Sequence, residues 1–206
     1  MEFKKVLEQR RSVNFFDTDR KVDEALLKKI YDVAKLCPSS FDLQPWKIIL
    51  VTGAENKKKL KEAALNQPKV DEASAMFILL ADTRGFEEVD AIFDDMVSKG
   101  YQKEEAREGV KGFARMLYDN SFGCRGFALR NASLSAMSFM LAAKDFGVDT
   151  HTMDGFEQDK VKKAFNIPER YEVAMLIAVG YHDKTKALLP RLNRKEFNEV
   201  FVREGF

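Results

Sequence analysis

MFILLAD, residues 76–82, is six apolar residues closed by a single aspartate. A strand with one face in water would alternate, and this one does not, so both of its faces must be covered. VAMLIAVGY, residues 173–181, reads the same way. The two runs predict the middle of a mixed sheet with helices packed on both faces. Outward from them, WKIILVT (46–52) is a further β-branched strand, and NKKKLKEAAL (56–65) has helical spacing. DEALLKKIYDVAKLC (23–37) predicts a helix capped by Asp23 and stopped by Pro38, with Cys37 as its last buried position. A long helical stretch from about Gly85 to Asp145 breaks near 119–123, and a further helix runs from about Gly155 to Pro168. The segment 127–147, FALRNASLSAMSFMLAAKDFG, is small or apolar on almost every side and should be buried all round.

Bulk properties narrow the function. With 206 residues and no linker, repeat or low-complexity tract, the expectation is a single domain over 1–206. Thirty-four basic and 33 acidic residues leave a net charge of +1, so no global field recruits nucleic acid or an anionic membrane. No apolar run approaches the roughly 18 residues of a bilayer span, and MEFKKVLEQRR lacks a signal-like apolar core, so a cytoplasmic protein is expected. Cys37 and Cys124 are too few for a disulfide framework. His151 and His182 have no neighbours at metal-ligand spacing. The chain has no G-x-S-x-G elbow, no phosphate-binding P-loop and no G-x-G-x-x-G turn after a strand. An enzyme built this way must borrow its reactivity from a cofactor.

Three polar stretches could hold one. RRSVNFF (10–16) offers two guanidiniums, a hydroxyl and an amide; guanidiniums hold phosphate as a planar fork, although the stretch also reads as the solvated basic end of a first helix. NQPK (66–69) brings an amide and an ammonium to the start of the 76–82 strand, and alone is an ordinary turn. PRLNR (190–194) adds two arginines, or a surface charge cluster.

In order, these stretches together with P-S-S-x-x-x-Q-P-W in CPSSFDLQPW (37–46) and the acid-glycine pair in MDGF (153–156) resemble the nitroreductase family of flavin mononucleotide (FMN) enzymes. The resemblance is to its oxygen-insensitive nitroreductase and flavin reductase members. It implies an α+β, three-layer α-β-α fold with a mixed, mainly antiparallel sheet, and a homodimer with one FMN in each of two interface clefts. It also implies NADH or NADPH as donor, a small nitro, quinone or flavin acceptor, ping-pong hydride transfer, and no side chain acting as catalyst. Arg10, Arg11 and Ser12 match the phosphate and ribityl end, joined by Arg194 and by Arg191, whose match is looser because Leu192 stands where a cation is common. Pro38, Ser39 and Ser40 match a turn that reaches the flavin from the partner subunit, with Gln44 in the same motif. Asn66 and Lys69 match residues facing the pyrimidine edge, and the backbone amides of Asp154 and Gly155 match those near N5 and O4. One departure stands out: Asn14 occupies a place where the family often has a cation facing flavin N1 and C2=O, which leaves Lys69 as the main positive charge there. The resemblance further implies that the 127–147 helix packs against its symmetry mate and that the apolar tail after Arg194 embraces the partner; Phe113, Tyr118 and Phe122 read either as substrate-pocket lining or, like most aromatics, as core. Two other readings are a specialised flavin enzyme such as a dehalogenase, and a non-catalytic flavin-binding redox sensor.

Overall fold

A computed structural model describes residues 2–205. Four strands, β1 (Trp46–Val51), β2 (Ala75–Asp82), β3 (Asp149–Met153) and β4 (Tyr171–Gly180), form one sheet in the order β1-β2-β4-β3. All three ladders are antiparallel; among the described residues, the one parallel pairing is an isolated bridge between Ser12 and Thr150. Every residue of β2 is buried. Its odd positions Phe77, Leu79 and Ala81 enter one core, and its even positions Met76, Ile78 and Leu80 enter another. The period of two along a strand thus feeds two helical layers from one unbroken apolar run.

The helices are α1 (Phe3–Gln9), α2 (Glu24–Ala34), α3 (Ala54–Ala63), α4 (Lys69–Glu72), α5 (Val89–Ser98), α6 (Arg107–Tyr118), α7 (Ser121–Asp145), α8 (Gln158–Ala164) and α9 (Phe197–Val200). Residues of α2 and α7 fill the first core, where Phe139 meets Phe77 edge to face with centroids 4.8 Å apart. Residues of α3, α4 and α8 fill the second. The result is the expected α+β, three-layer arrangement.

Two helices end on left-handed residues that are not glycine. Asn166 (φ 51°) ends α8, with Ile167 N–H donating to Lys162 O at 2.9 Å across the turn. Asp154–Glu157 precede that helix as a loop, so it spans only part of 155–168. Leu65 (φ 54°) ends α3 in the same way, Asn66 N–H donating to Lys61 O at 2.9 Å. The stretch 85–145 breaks at 119–120 and again around Gly100 (φ 75°), where Tyr101 N–H reaches Met96 O. α2 stops at Ala34, three residues earlier than expected, and Cys37 is half-buried in the turn beyond it. That turn is locked because Ser138 Oγ on α7 donates to Ala34 O at 2.9 Å.

α7 is not buried all round. Ala128, Ala132, Ala136 and Ala143 lie against the sheet and α2, while Arg130, Ser133, Leu134 and Met137 face outward, Leu134 at 47% exposure. The small residues let the helix approach closely on one side only.

Candidate functional site

α1 ends at Arg10, and the chain leaves it extended, so that Val13 N–H donates to Thr150 O at 3.2 Å and residues 12–13 lie along the sheet edge at β3. The terminal carbonyls of α1 would otherwise be orphaned. Arg191 takes them: its Nη2 donates to Glu8 O at 3.0 Å and Arg10 O at 2.9 Å. Arg11 Nη2 donates to Leu189 O at 2.5 Å, tying the same tail down a second time. Arg194 bonds only its own loop, at Leu192 O (2.9 Å) and Asn193 O (3.3 Å).

Residues 10, 11, 191 and 194, separated by about 180 positions of sequence, therefore share one neighbourhood. Burial, and then the positive fields of Arg191, Arg11 and Arg194, push the Arg10 guanidinium below its ordinary pKa. Among the described residues, none of the four forms an ion pair with a carboxylate. Four guanidiniums gathered without an acid are a donor set for a multiply charged anion. Arg191 is here a helix cap as well as a cation. Leu192 is 82% exposed and takes no part.

The second group forms where α3 ends. Leu65 and Asn66 are consecutive left-handed residues, φ 54° and 56°, which turn NQPK away from the helix axis. Gln67 Nε2 donates to Gly155 O at 2.8 Å and Glu157 N–H donates to Ala63 O at 2.8 Å, so the 66–69 and 154–157 loops form one wall. A Cβ on Gly155 would sit 3.0 Å from Gln67 Nε2 and press on the amide that bonds Gly155 O. Lys69 opens α4 and donates from Nζ to Asn14 Oδ1 at 3.0 Å, joining this wall to the 10–14 segment. Burial lowers the Lys69 pKa, with Glu72 opposing. His151 Nε2 lies 3.2 Å from the same Nζ.

Pro38, Ser39, Ser40 and Gln44 lie elsewhere. Among the described residues, no hydrogen bond or ion pair connects them to the arginines or to Lys69. Their turn is strained: Phe41, Asp42 and Gln44 all have φ near +50°. Two side-chain bonds brace it, Gln44 N–H to Ser39 Oγ at 2.9 Å and Ser40 N–H to Asn131 Oδ1 at 2.9 Å, alongside backbone bonds from Asp42 N–H to Ser39 O and Leu43 N–H to Ser40 O. Phe41 meets Phe113 and Tyr118 edge to face, with centroids 6.2 and 6.3 Å away, whereas Phe122 stands apart at 84% exposure. Nearby, an open groove of about 480 Å³ is lined by Leu27, Tyr31, Gln44, Trp46, Ile48 and Phe139, and holds none of the arginines.

Sequence reasoning missed two residues. Asn131 is 2% exposed on α7 and anchors the Ser40 turn; a lone amide inside the apolar run 127–147 was its signal. His151 sits on β3, whose half-polar sequence DTHTM hid the strand as well.

The sequence profile described as the Nitroreductase family matches residues 7–181, and the chain belongs to that family of oxidoreductases. It is 35% identical over 201 residues to a Bacillus subtilis (strain 168) protein, MhqN, provisionally named an NAD(P)H nitroreductase; the match covers 96% of this chain and 97% of that one. The crystal structure of the B. subtilis protein ydfN, provisionally described as a nitroreductase, superposes with a TM-score of 0.92 at 33% identity, covering 98% of both chains. A similarly described nitroreductase from Exiguobacterium sibiricum, solved in complex with FMN, gives 0.84 at 28% identity, covering 98% of this chain and 97% of that one.

Proposed function

We propose that this chain is an NAD(P)H-dependent FMN oxidoreductase that works as a homodimer and reduces nitroaromatics, quinones or free flavins by ping-pong turnover. The observation that carries the reading is the arginine group without an acid, continuous through Asn14 and Lys69 with the wall around Gly155. Such a sequence of donors fits a cofactor with an anionic phosphate at one end and a polar ring edge at the other.

Bound FMN would supply two-electron transfer between a nicotinamide and an oxidised acceptor. Arg10, Arg11, Arg191 and Arg194, with Ser12, would hold the phosphate. Lys69, Asn66 and Asn14 would face the ring's pyrimidine edge, Lys69 contributing positive charge where reduction adds negative charge. The Asp154 and Gly155 backbone would offer N–H donors without a side chain in the way. Ser39, Ser40 and Gln44 would complete the site from the second protomer.

Support for the dimer comes from surface that one chain leaves uncovered. Leu134 and Met137 stand exposed on α7, and Leu188, Leu189, Leu192, Phe197, Val200 and Phe201 are all exposed along the tail. Exposed apolar residues gathered along one helix face and one tail are what an interface between copies would cover. Phe197 and Phe201 stack with centroids 4.2 Å apart, a ready-made knob for a groove.

The test is the absorption spectrum of purified protein, then anaerobic titration with NADH and NADPH and a quinone or nitroarene chase. A flavin spectrum that bleaches and returns is expected. Colourless protein that cannot be reconstituted with FMN rejects the reading, and yellow protein that neither nicotinamide bleaches makes it a flavin-binding sensor. Sedimentation equilibrium should give twice the 23.6 kDa chain mass.

A further inference from the structure

We propose that His151 is a positioning residue, which together with Asn14 fixes the Lys69 ammonium and leaves one of its N–H groups for the flavin. The proposal rests on the functional reading above and deepens it at the residue carrying the charge.

The protons follow from the partners. His151 Nδ1 lies 2.9 Å from Val13 O, and a carbonyl can only accept, so Nδ1 carries the hydrogen. In the neutral ring Nε2 is then a lone pair. Lys69 Nζ, 3.2 Å away, has only donors, so it donates to Nε2. A second N–H goes to Asn14 Oδ1 at 3.0 Å. An ammonium has three N–H groups, and one remains. Because Val13 and Asn14 are neighbours, the contacts close into a loop that ties β3, the 10–14 segment and the start of α4 together.

Both anchors are neutral. Lys57, more deeply buried, donates to the backbone carbonyls of Ala73 and Ser74, but two other partly buried lysines are held by acids: Lys61 by Asp71 at 2.5 Å and Lys144 by Asp149 at 2.9 Å. Those pairs orient the ammonium and cancel its charge. His151 and Asn14 orient Lys69 and leave its charge intact, as needed where the family's usual cation is replaced by Asn14. Burial and the nearby Lys69 both hold His151 below its ordinary pKa and keep it neutral. The charged groups facing this pair are Lys69 itself and, beyond it, Glu72.

The experiment compares His151→Leu, His151→Gln and Asn14→Leu, with His151→Leu also made in a Lys69→Met background. In flavin-free protein at pH 7, the nitrogen-15 shifts of His151 should show a neutral ring protonated at Nδ1. In FMN-loaded protein, His151→Leu should weaken the preference for reduced over oxidised FMN about tenfold, which is about 30 mV in a two-electron midpoint. His151→Gln should stay near wild type, since its amide can donate to Val13 O and its carbonyl accept from Lys69. Asn14→Leu, at an exposed position that does not threaten folding, should shift the midpoint in the same direction as His151→Leu. In the Lys69→Met background, His151→Leu should change nothing further, which a merely structural histidine would not satisfy.

A charged ring, an Nε2-protonated ring, an undiminished effect without Lys69, or FMN uptake with a wild-type midpoint in His151→Leu overturns the proposal alone. A chain that takes up no FMN overturns the functional reading and the proposal with it.

Discussion

The two halves of the candidate site are built on opposite principles. The arginine and Lys69 half is assembled from segments far apart in sequence, and its charges do structural work as well: Arg191 caps α1 and Arg11 pins the tail. The Ser39–Ser40 half has no charge in its anchoring. It is a strained turn hung on one buried amide, Asn131, behind a helix end fixed by Ser138. Under the proposed reading the first half would attract the ligand and the second would shape the space it enters, so damage to each should be read by different instruments.

The largest effect is expected at the charged half. Arg10→Ala should weaken FMN retention on the order of 100-fold, the loss of one charge-assisted phosphate contact worth about 1.5–3 kcal/mol. Arg11→Ala should cost far less, because Arg11 already spends a donor on Leu189 O. Equal losses in a fluorescence titration of the apoprotein would show that the phosphate lies elsewhere.

Asn131→Leu breaks the other half. It leaves Ser40 N–H without its acceptor, and stability measured by urea should fall by about 1–3 kcal/mol. FMN affinity should fall much less than with Arg10→Ala; a larger fall would erase the distinction between the halves.

A pH prediction separates them again. The folded-state pKa of His151 lies below its ordinary value, first through burial and then through Lys69. In the unfolded chain it returns to about 6.5. Between those values the unfolded chain binds more protons, so the stability contribution is full above pH 6.5 and is lost as pH falls toward the folded pKa. His151→Gln should lose less stability than wild type between pH 7 and 5, while Asn131→Leu should keep the wild-type slope.

The smallest effect is electrostatic tuning. Asn14→Lys adds a cation beside Lys69 and should raise the flavin midpoint by about 30 mV, a tenfold shift for two electrons. An unchanged or lower midpoint in spectroelectrochemistry would refute the account of that edge.

What could be read from sequence follows the same division. β2 and β4 were legible because a strand buried on both faces must be apolar throughout, whatever surrounds it. β3 was not, because an edge strand carrying Asp149 and His151 looks like a loop until Val13 is seen to pair with it. The family was legible as ordered motifs, and its profile matches residues 7–181. The second task of Arg191, capping the end of α1, was not, because nothing in sequence order shows which carbonyls its guanidinium meets. His151 was unreadable since its role depends on Lys69, 82 positions away. The helix end at Asn166, two residues before Pro168, was missed because it lacks the glycine that usually marks such an end.

The paired left-handed residues at Leu65 and Asn66 bear on how this sequence can drift. The wall formed by the 66–69 and 154–157 loops takes its course from backbone handedness, so the exposed lysines of α3 can vary without moving it. At 65 and 66 the permitted alphabet is short: glycine and asparagine enter freely, while valine, isoleucine and proline are shut out by φ alone. A saturation library should therefore show two narrow columns next to a broad one, at positions that touch no core and carry no catalytic group.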